Sequence, residues 1–218
     1  MIKKTTLGIL FILAALSAAA QDRLIVVDSE SLFWRSDSPQ LAFFDKEMSR
    51  LLMPAAAAFG VVCIPSHSQE STLAYDSVAH ALVYNVAQES IWHATYNAMY
   101  KKKTKVKKEG TVIKRKLRKQ PKDYVAPGVK TFSLAVTPEQ AQKLQAVWTN
   151  AVSRAEYRED NMLDGVKWEY FVGGKRAKTH QHNSDFVKFT NQLAEAVRTG
   201  NASRMDSLVA ESQRFIVP

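Results

Sequence analysis

Cysteine is nearly absent, with Cys63 the only one in 218 residues. One cysteine makes no internal disulfide, so no disulfide scaffold holds this chain and its stability must come from a core. Apolar runs long enough to cross a bilayer are missing too. Leu7–Leu16 is apolar for ten residues, half of the roughly 20 that a spanning helix needs. Familiar catalytic signatures are also lacking. There is no G-x-S-x-G elbow, no S-x-x-K, no H-E-x-x-H and no phosphate loop, since Gly173-Gly174-Lys175 lacks that loop's spacing and following helix. Acidic residues are scarce in one place: residues 101–122 hold twelve basic side chains against the single acid Glu109, a net of +11.

What is present is ordinary globular composition, 46% hydrophobic and 23% charged, which argues against a wholly disordered, collagenous or coiled-coil chain. Lys3 and Lys4, the apolar run to Leu16, and Ala18 and Ala20 in the A-x-A positions form the three parts of a secretory signal peptide. Gln21 stands where a lipoprotein signal would place a cysteine. The expected mature product is residues 21–218, a single domain in the periplasm or outside the cell, with no transmembrane segment. Its net charge is +7 once Lys3 and Lys4 are removed. Residues 21–100 carry −5 and residues 123–218 carry +1, so the charge belongs to an appendage on a near-neutral body.

The basic appendage contains Lys101, Lys102, Lys103, Lys105, Lys107, Lys108, Lys114, Arg115, Lys116, Arg118 and Lys119. Val106, Thr111, Val112, Ile113 and Leu117 among them are strand formers. A two-residue loop at Glu109-Gly110 predicts a hairpin pairing Val106 with Ile113 and Thr104 with Arg115. Tyr100, Val106, Ile113 and Leu117 then share one face, while Lys105 opposes Lys114 and Lys103 opposes Lys116. Like charges directly opposite destabilise a hairpin. The expectation is a protruding arm at 100–120 that either contacts a polyanion or serves as solvated edge protection.

Elsewhere the spacing predicts a short strand at residues 23–27 and a helix from Ser38-Pro39 to Leu52, resuming at 55–58 after Pro54. Strands are expected at 61–64, 73–75, 81–86, 129–136, 166–172 and 175–179, the last two joined by a Gly173-Gly174 turn. Ile91–Tyr100 is ambiguous between the alternation of a strand and the four-residue spacing of Trp92, Tyr96 and Tyr100. It is read as a strand. Thr137, Pro138 and Gln140 form a capping box for a helix whose stripe includes Leu144, Val147, Trp148 and Val152. Ser184 caps a further helix stopped by Gly200, Asn201 starts a last one, and 213–218 is a tail. The fold class is α+β, a mostly antiparallel sheet with a protruding basic hairpin, packed by three to four helices.

Residues with chemical potential are few. His180 and His182 are a candidate metal pair if they alternate on a strand, with His67, His80 or His93 as distant partners. Ser66-His67-Ser68 and Asp76-Ser77…His80 supply hydrolase-type groups without a recognisable scaffold. Cys63, inside Val61–Ile64, reads as a small buried hydrophobe. Asn201-Ala202-Ser203 matches a glycosylation sequon.

Six stretches carry a resemblance: Leu73–Asp76, Ser90–Tyr96, Pro121–Tyr124, Val129–Leu134, Thr137–Ala141, and Leu163-Asp164-Gly165 with Trp168–Phe171. Together they resemble a family of small exported bacterial proteins of unassigned activity. The resemblance implies a shared fold and export and brings no catalytic residues.

These readings favour an exported, non-enzymatic binding protein without a cofactor, its arm directed at an anionic lipid or an acidic glycan. Nucleic acid is disfavoured because export removes the chain from most of it. The alternative is an exported hydrolase assembled from distant residues. Mass measurement of exported material should give an N-terminus at Gln21; full-length protein retained in the cytoplasm would overturn the export reading.

Overall fold

The computed structural model describes residues 24–27, 38–66, 68–107, 110–157 and 165–216, with the backbone alone for 102–107 and 110–115. The signal segment, His67, residues 158–164 and, of the expected Glu109-Gly110 loop, Glu109 with the preceding Lys108 lie outside the described residues.

Seven strands form one antiparallel sheet: β1 (Ile25–Val26), β2 (Ala57–Pro65), β3 (Ser71–Asp76), β4 (Ala81–Ala87), β7 (Val129–Ala135), β8 (Val166–Val172) and β9 (Lys175–Thr179). Their order across the sheet is β1-β9-β8-β2-β3-β4-β7. The two remaining strands, β5 (Tyr100–Lys107) and β6 (Gly110–Leu117), pair only with each other. Five α-helices accompany them among the described residues: α1 (Pro39–Leu52), α2 (Ile91–Met99), α3 (Pro138–Ser153), α4 (Asp185–Thr199) and α5 (Ala202–Glu211). The class is α+β, as expected.

Strand alternation sends one set of side chains to each face of the sheet, and both faces are covered. On one side Phe59, Val61, Leu73, Tyr170 and Val172 pack with Leu144, Trp148, Phe186, Phe189 and Leu193 of α3 and α4. On the other, Val62, Ile64 and Ala87 pack with Phe44, Met48 and Leu52 of α1 and Ile91 of α2. Trp148, only 1% exposed, donates from Nε1 to the Gly60 carbonyl at 2.8 Å. A Cβ on Gly60 would lie 2.4 Å from the Leu73 carbonyl oxygen, so glycine lets β2 and β3 approach each other here.

Local signals were obeyed where they were strongest. Thr137 Oγ1 accepts from Gln140 N, and Gln140 Oε1 accepts from Thr137 N. Gly173 and Gly174 adopt φ of 55° and 78°, the left-handed turn that suits a two-residue hairpin. Ser184 caps α4, and Gly200 ends it with φ 65°.

Four expectations need correction. Residues 55–58 do not resume a helix. The chain turns at 55–56 and enters β2 at Ala57, because β2 is bonded on both sides, to β3 and β8, and that ladder outweighs the helical preference of alanine. Ile91–Met99 is helical instead of a strand, which brings the α-helices among the described residues to five, against the three to four expected. Residues 212–215 form a 3₁₀ turn instead of a tail, held by Phe215 against Phe186 and Phe189. The hairpin register is shifted by two: Lys107 pairs with Gly110 and Tyr100 with Leu117, so Gly110 belongs to β6 and not to the connecting loop.

The cause of the α2 helix is Glu70, which is 0% exposed. Its carboxylate accepts from the amides of Ile91 at 2.8 Å and Trp92 at 2.9 Å, and from Ser90 Oγ at 3.1 Å. Ser90 Oγ in turn accepts from His93 N at 3.2 Å. Orphan donors of a helix N-terminus are thereby satisfied by an acid, which the helix dipole also favours.

Glu70→Ala should cost about 2–3 kcal/mol, since it strands buried donors. Thr137→Ala should cost about 1 kcal/mol through the lost cap, and Trp148→Ala about 3–5 kcal/mol through the cavity it leaves. Denaturant melts check all three, and equal small effects would mean that neither cap nor core face is placed correctly.

Candidate anion-binding arm and its root

The basic stretch is a two-stranded ladder of its own. Its register opposes Lys101 to Lys116, Lys102 to Arg115 and Lys103 to Lys114. Three like-charged pairs thus face each other across one hairpin. A shift of two residues keeps every position on its expected face, so Tyr100, Val106, Ile113 and Leu117 still share one register face. Among the described residues, Lys101, Lys116, Arg118, Lys119 and Lys122 have no ion-pair partner.

The root of the arm is held firmly. Arg118 N donates to Met99 O at 2.7 Å and Lys122 N to Ala98 O at 3.0 Å, so the returning chain caps the last carbonyls of α2. Tyr96 and Tyr100 stack with centroids 4.4 Å apart. Further along, Tyr124 meets Phe43 edge-on at 4.9 Å and faces the Glu47–Arg50 pair, whose Nη2 and Oε2 are 2.5 Å apart. Burial alone would raise the Glu47 carboxyl, but the Arg50 guanidinium and the Tyr124 hydroxyl hold it below its ordinary value. Burial, with Glu47 beside it, raises the Tyr124 phenol. These contacts hold the chain on either side of the Tyr100–Leu117 end of the ladder.

Beside the root lies a groove of about 340 Å³ between Ala94, Asn97 and Ala98 of α2 and Arg118, Lys122, Asp123 and Val125 of the returning chain. Nη1 of Arg118 is buried without a hydrogen-bond partner, and Asp123 is held at φ 55°.

The other candidates are occupied elsewhere. β9 ends at Thr179, so His180 and His182 do not alternate on a strand. His180 Nδ1 lies 3.2 Å from the Val166 carbonyl and His182 is exposed. No group of three metal-ligating side chains occurs among the described residues. Ser66 Oγ is bonded to both the amide and carbonyl of Gly165. Asp76 caps the turn amides of Val78 and Ala79, Ser77 bonds Ala56 O, and His80 Nδ1 lies 3.3 Å from the Tyr75 hydroxyl. Among the described residues these groups tie loops together, and none of the hydrogen bonds named pairs a serine hydroxyl with a histidine.

Sequence reading missed a buried charge cluster. Lys167 Nζ lies 2.9 Å from Glu169 Oε2, and Arg176 Nη1 lies 3.8 Å from Oε1, with Glu169 2% exposed. Burial pushes the Glu169 carboxyl up against the pull of Lys167 and Arg176, and Asp45 adds to the rise. Lys167 and Glu169 alternate with Trp168 and Tyr170 along β8 and were given no role from the sequence. The sheet's second cover, α1, which carries Asp45, encloses that side of β8.

No family model, curated protein or solved structure matches this chain.

Cys63 is half-buried as a residue, yet its thiol is enclosed. Burial pushes it up to about 12, with a Ser71 hydrogen bond opposing and the Glu70 charge adding. An unfolded thiol ionises near about 8.5, so the unfolded state loses this proton first and stability falls as pH rises from there towards 12. Denaturant midpoints should decline over that window, and less in Cys63→Ala. Alkylation at pH 8 should label Cys63 only in denaturant. Rapid labelling of the native protein would mean that the thiol is open to solvent.

Proposed function

We propose that this is an exported, non-enzymatic binding protein whose basic arm contacts an anionic component of the cell envelope, a lipid surface or an acidic glycan. The observation that carries the reading is the ladder in which Lys101, Lys102 and Lys103 face Lys116, Arg115 and Lys114 outside the seven-stranded sheet. Charges of one sign held opposite one another cost free energy, and a polyanion laid along them removes that cost. Export belongs to the same proposal. It rests on the three-part pattern of the first 20 residues, and the resemblance to small exported proteins points the same way. No helix among the described residues is long and apolar enough to cross a membrane.

Binding of this kind weakens steeply with salt, because screening and counterions replace the lysines. Wild-type protein should be retained on anionic vesicles or an acidic glycan at low ionic strength and released at high. Replacing Lys103, Lys105, Lys114 and Lys116 by Gln should remove most of that salt dependence and leave the fold intact, because the ladder is separate from the main sheet. Wild type passing through both supports at low salt would end the proposal and leave a solvated arm. Unfolding of the variant would mean that the stretch contributes to the core.

A further inference from the structure

We propose that the groove at the root of the arm is a headgroup subsite, in which Arg118 and Lys122 take the phosphodiester oxyanion of an anionic lipid. The inference rests on the reading of the arm as a polyanion-contacting surface and names the lipid as its partner.

Charge is the first argument. Arg118 and Lys122 bring two cations to the groove wall and Asp123 one anion, a net of one positive charge that matches a singly charged diester. Guanidinium groups bind such oxyanions through paired hydrogen bonds. Arg118 carries a buried N–H without an acceptor, and an incoming oxyanion is the group that would relieve an unsatisfied donor of this kind. The end of a helix ordinarily repels anions. Here the carbonyls of Ala98 and Met99 are already taken by the amides of Lys122 and Arg118, so that repulsion is offset where the ligand would sit.

Apolar surface is the second argument. Val125 on the groove wall is 80% exposed, and Leu117, next to Arg118 in the chain, is 38% exposed. Tyr96 and Tyr100 stack at the same root. Basic groups beside exposed aliphatic side chains and half-buried aromatic ones suit the interfacial zone of a bilayer, where headgroup charge and apolar chain lie side by side. An acidic glycan offers the charge without the apolar partner. The volume of about 340 Å³ lies at the lower end of the range for small-ligand sites, enough for a headgroup and not for an acyl chain.

The test uses the full exported chain and glycerophosphoglycerol, a soluble phosphodiester without acyl chains. Amide NMR should show saturable shifts at Ala94, Asn97, Arg118 and Lys122. The Arg118→Gln, Lys122→Gln pair should weaken binding by about tenfold or more, as expected for lost charge-assisted bonds. Lys122→Glu alone should act in the same direction, and its exposed position keeps the result readable should Arg118→Gln fail to fold. The four-lysine arm variant should hold the soluble diester within about twofold, since Lys103, Lys105 and Lys114 lie out along the ladder, where salt screens them from the groove, and only Lys116 approaches the root. That variant should nevertheless lose salt-dependent pelleting with phosphatidylglycerol vesicles. Absent shifts in wild type, equal shifts with glucuronate, or an unaffected Lys122→Glu would each overturn the groove proposal. Vesicle binding lost in the arm variant but unchanged in the Arg118, Lys122 pair would overturn the groove and leave the arm. Saturable diester binding without vesicle retention would leave a phosphodiester site in the groove and overturn both the arm and the lipid as its partner.

Discussion

A run of lysines cannot be buried. Twelve basic side chains within residues 101–122 would each lose hydration inside a core, at a cost that no row of partners here could repay. The path of the chain follows from that constraint. β4 and β7 are neighbours in the sheet, yet the residues between them leave it, form α2 and the β5–β6 ladder, and return. Had the basic stretch continued the sheet, it would have met a face packed by α1 or by α3 and α4. The outermost position, beyond an edge pair, is where the chain can carry it without disturbing either packed face.

An excursion of this length needs a fixed point, and a buried carboxylate supplies it. Glu70 sits just before β3 and binds the first amides of α2, while its own carbonyl accepts from Ala87 at the end of β4. One residue therefore joins the central sheet to the helix that launches the arm. The far end of that helix is capped by the returning chain at Arg118 and Lys122. Order passes from the core through Glu70 to α2 and on to the base of the ladder, so the geometry of the groove is a consequence of tertiary contacts.

That dependence explains what could be read in the sequence and what could not. Thr137 with Gln140, Gly173 with Gly174, and Ser184 with Gly200 act on residues within a turn of themselves, and each did what its local chemistry dictates. Ile91–Tyr100 carried both periods at once. The deciding group, Glu70, lies some twenty residues earlier and has no local signature, so the helix could not be chosen on local grounds. Lys167 and Glu169 were missed for another reason. Antiparallel sheets commonly keep one face in water, and an alternating strand cannot announce that its polar side is also roofed. The basic arm was legible because charge density needs no fold to be seen, whereas the groove was not: Ala94 and Arg118 are brought together only by backbone bonds between α2 and the returning chain.

Segregation of charge also gives the molecule a direction. Residues 21–100 carry −5 and residues 101–122 carry +11, so a polyanion of the kind proposed would be repelled by part of the body and attracted by the arm. At physiological salt such fields fade over about 8 Å. They therefore act at contact range, selecting which surface stays in place and adding little to long-range steering. A ligand that neutralises the opposed lysines stabilises the ordered ladder through mass action on the bound state, and ladder order in turn presents more cations in register. On the proposed reading, binding and arm order are two sides of one equilibrium, anchored at the root where the amides of Arg118 and Lys122 meet the last carbonyls of α2.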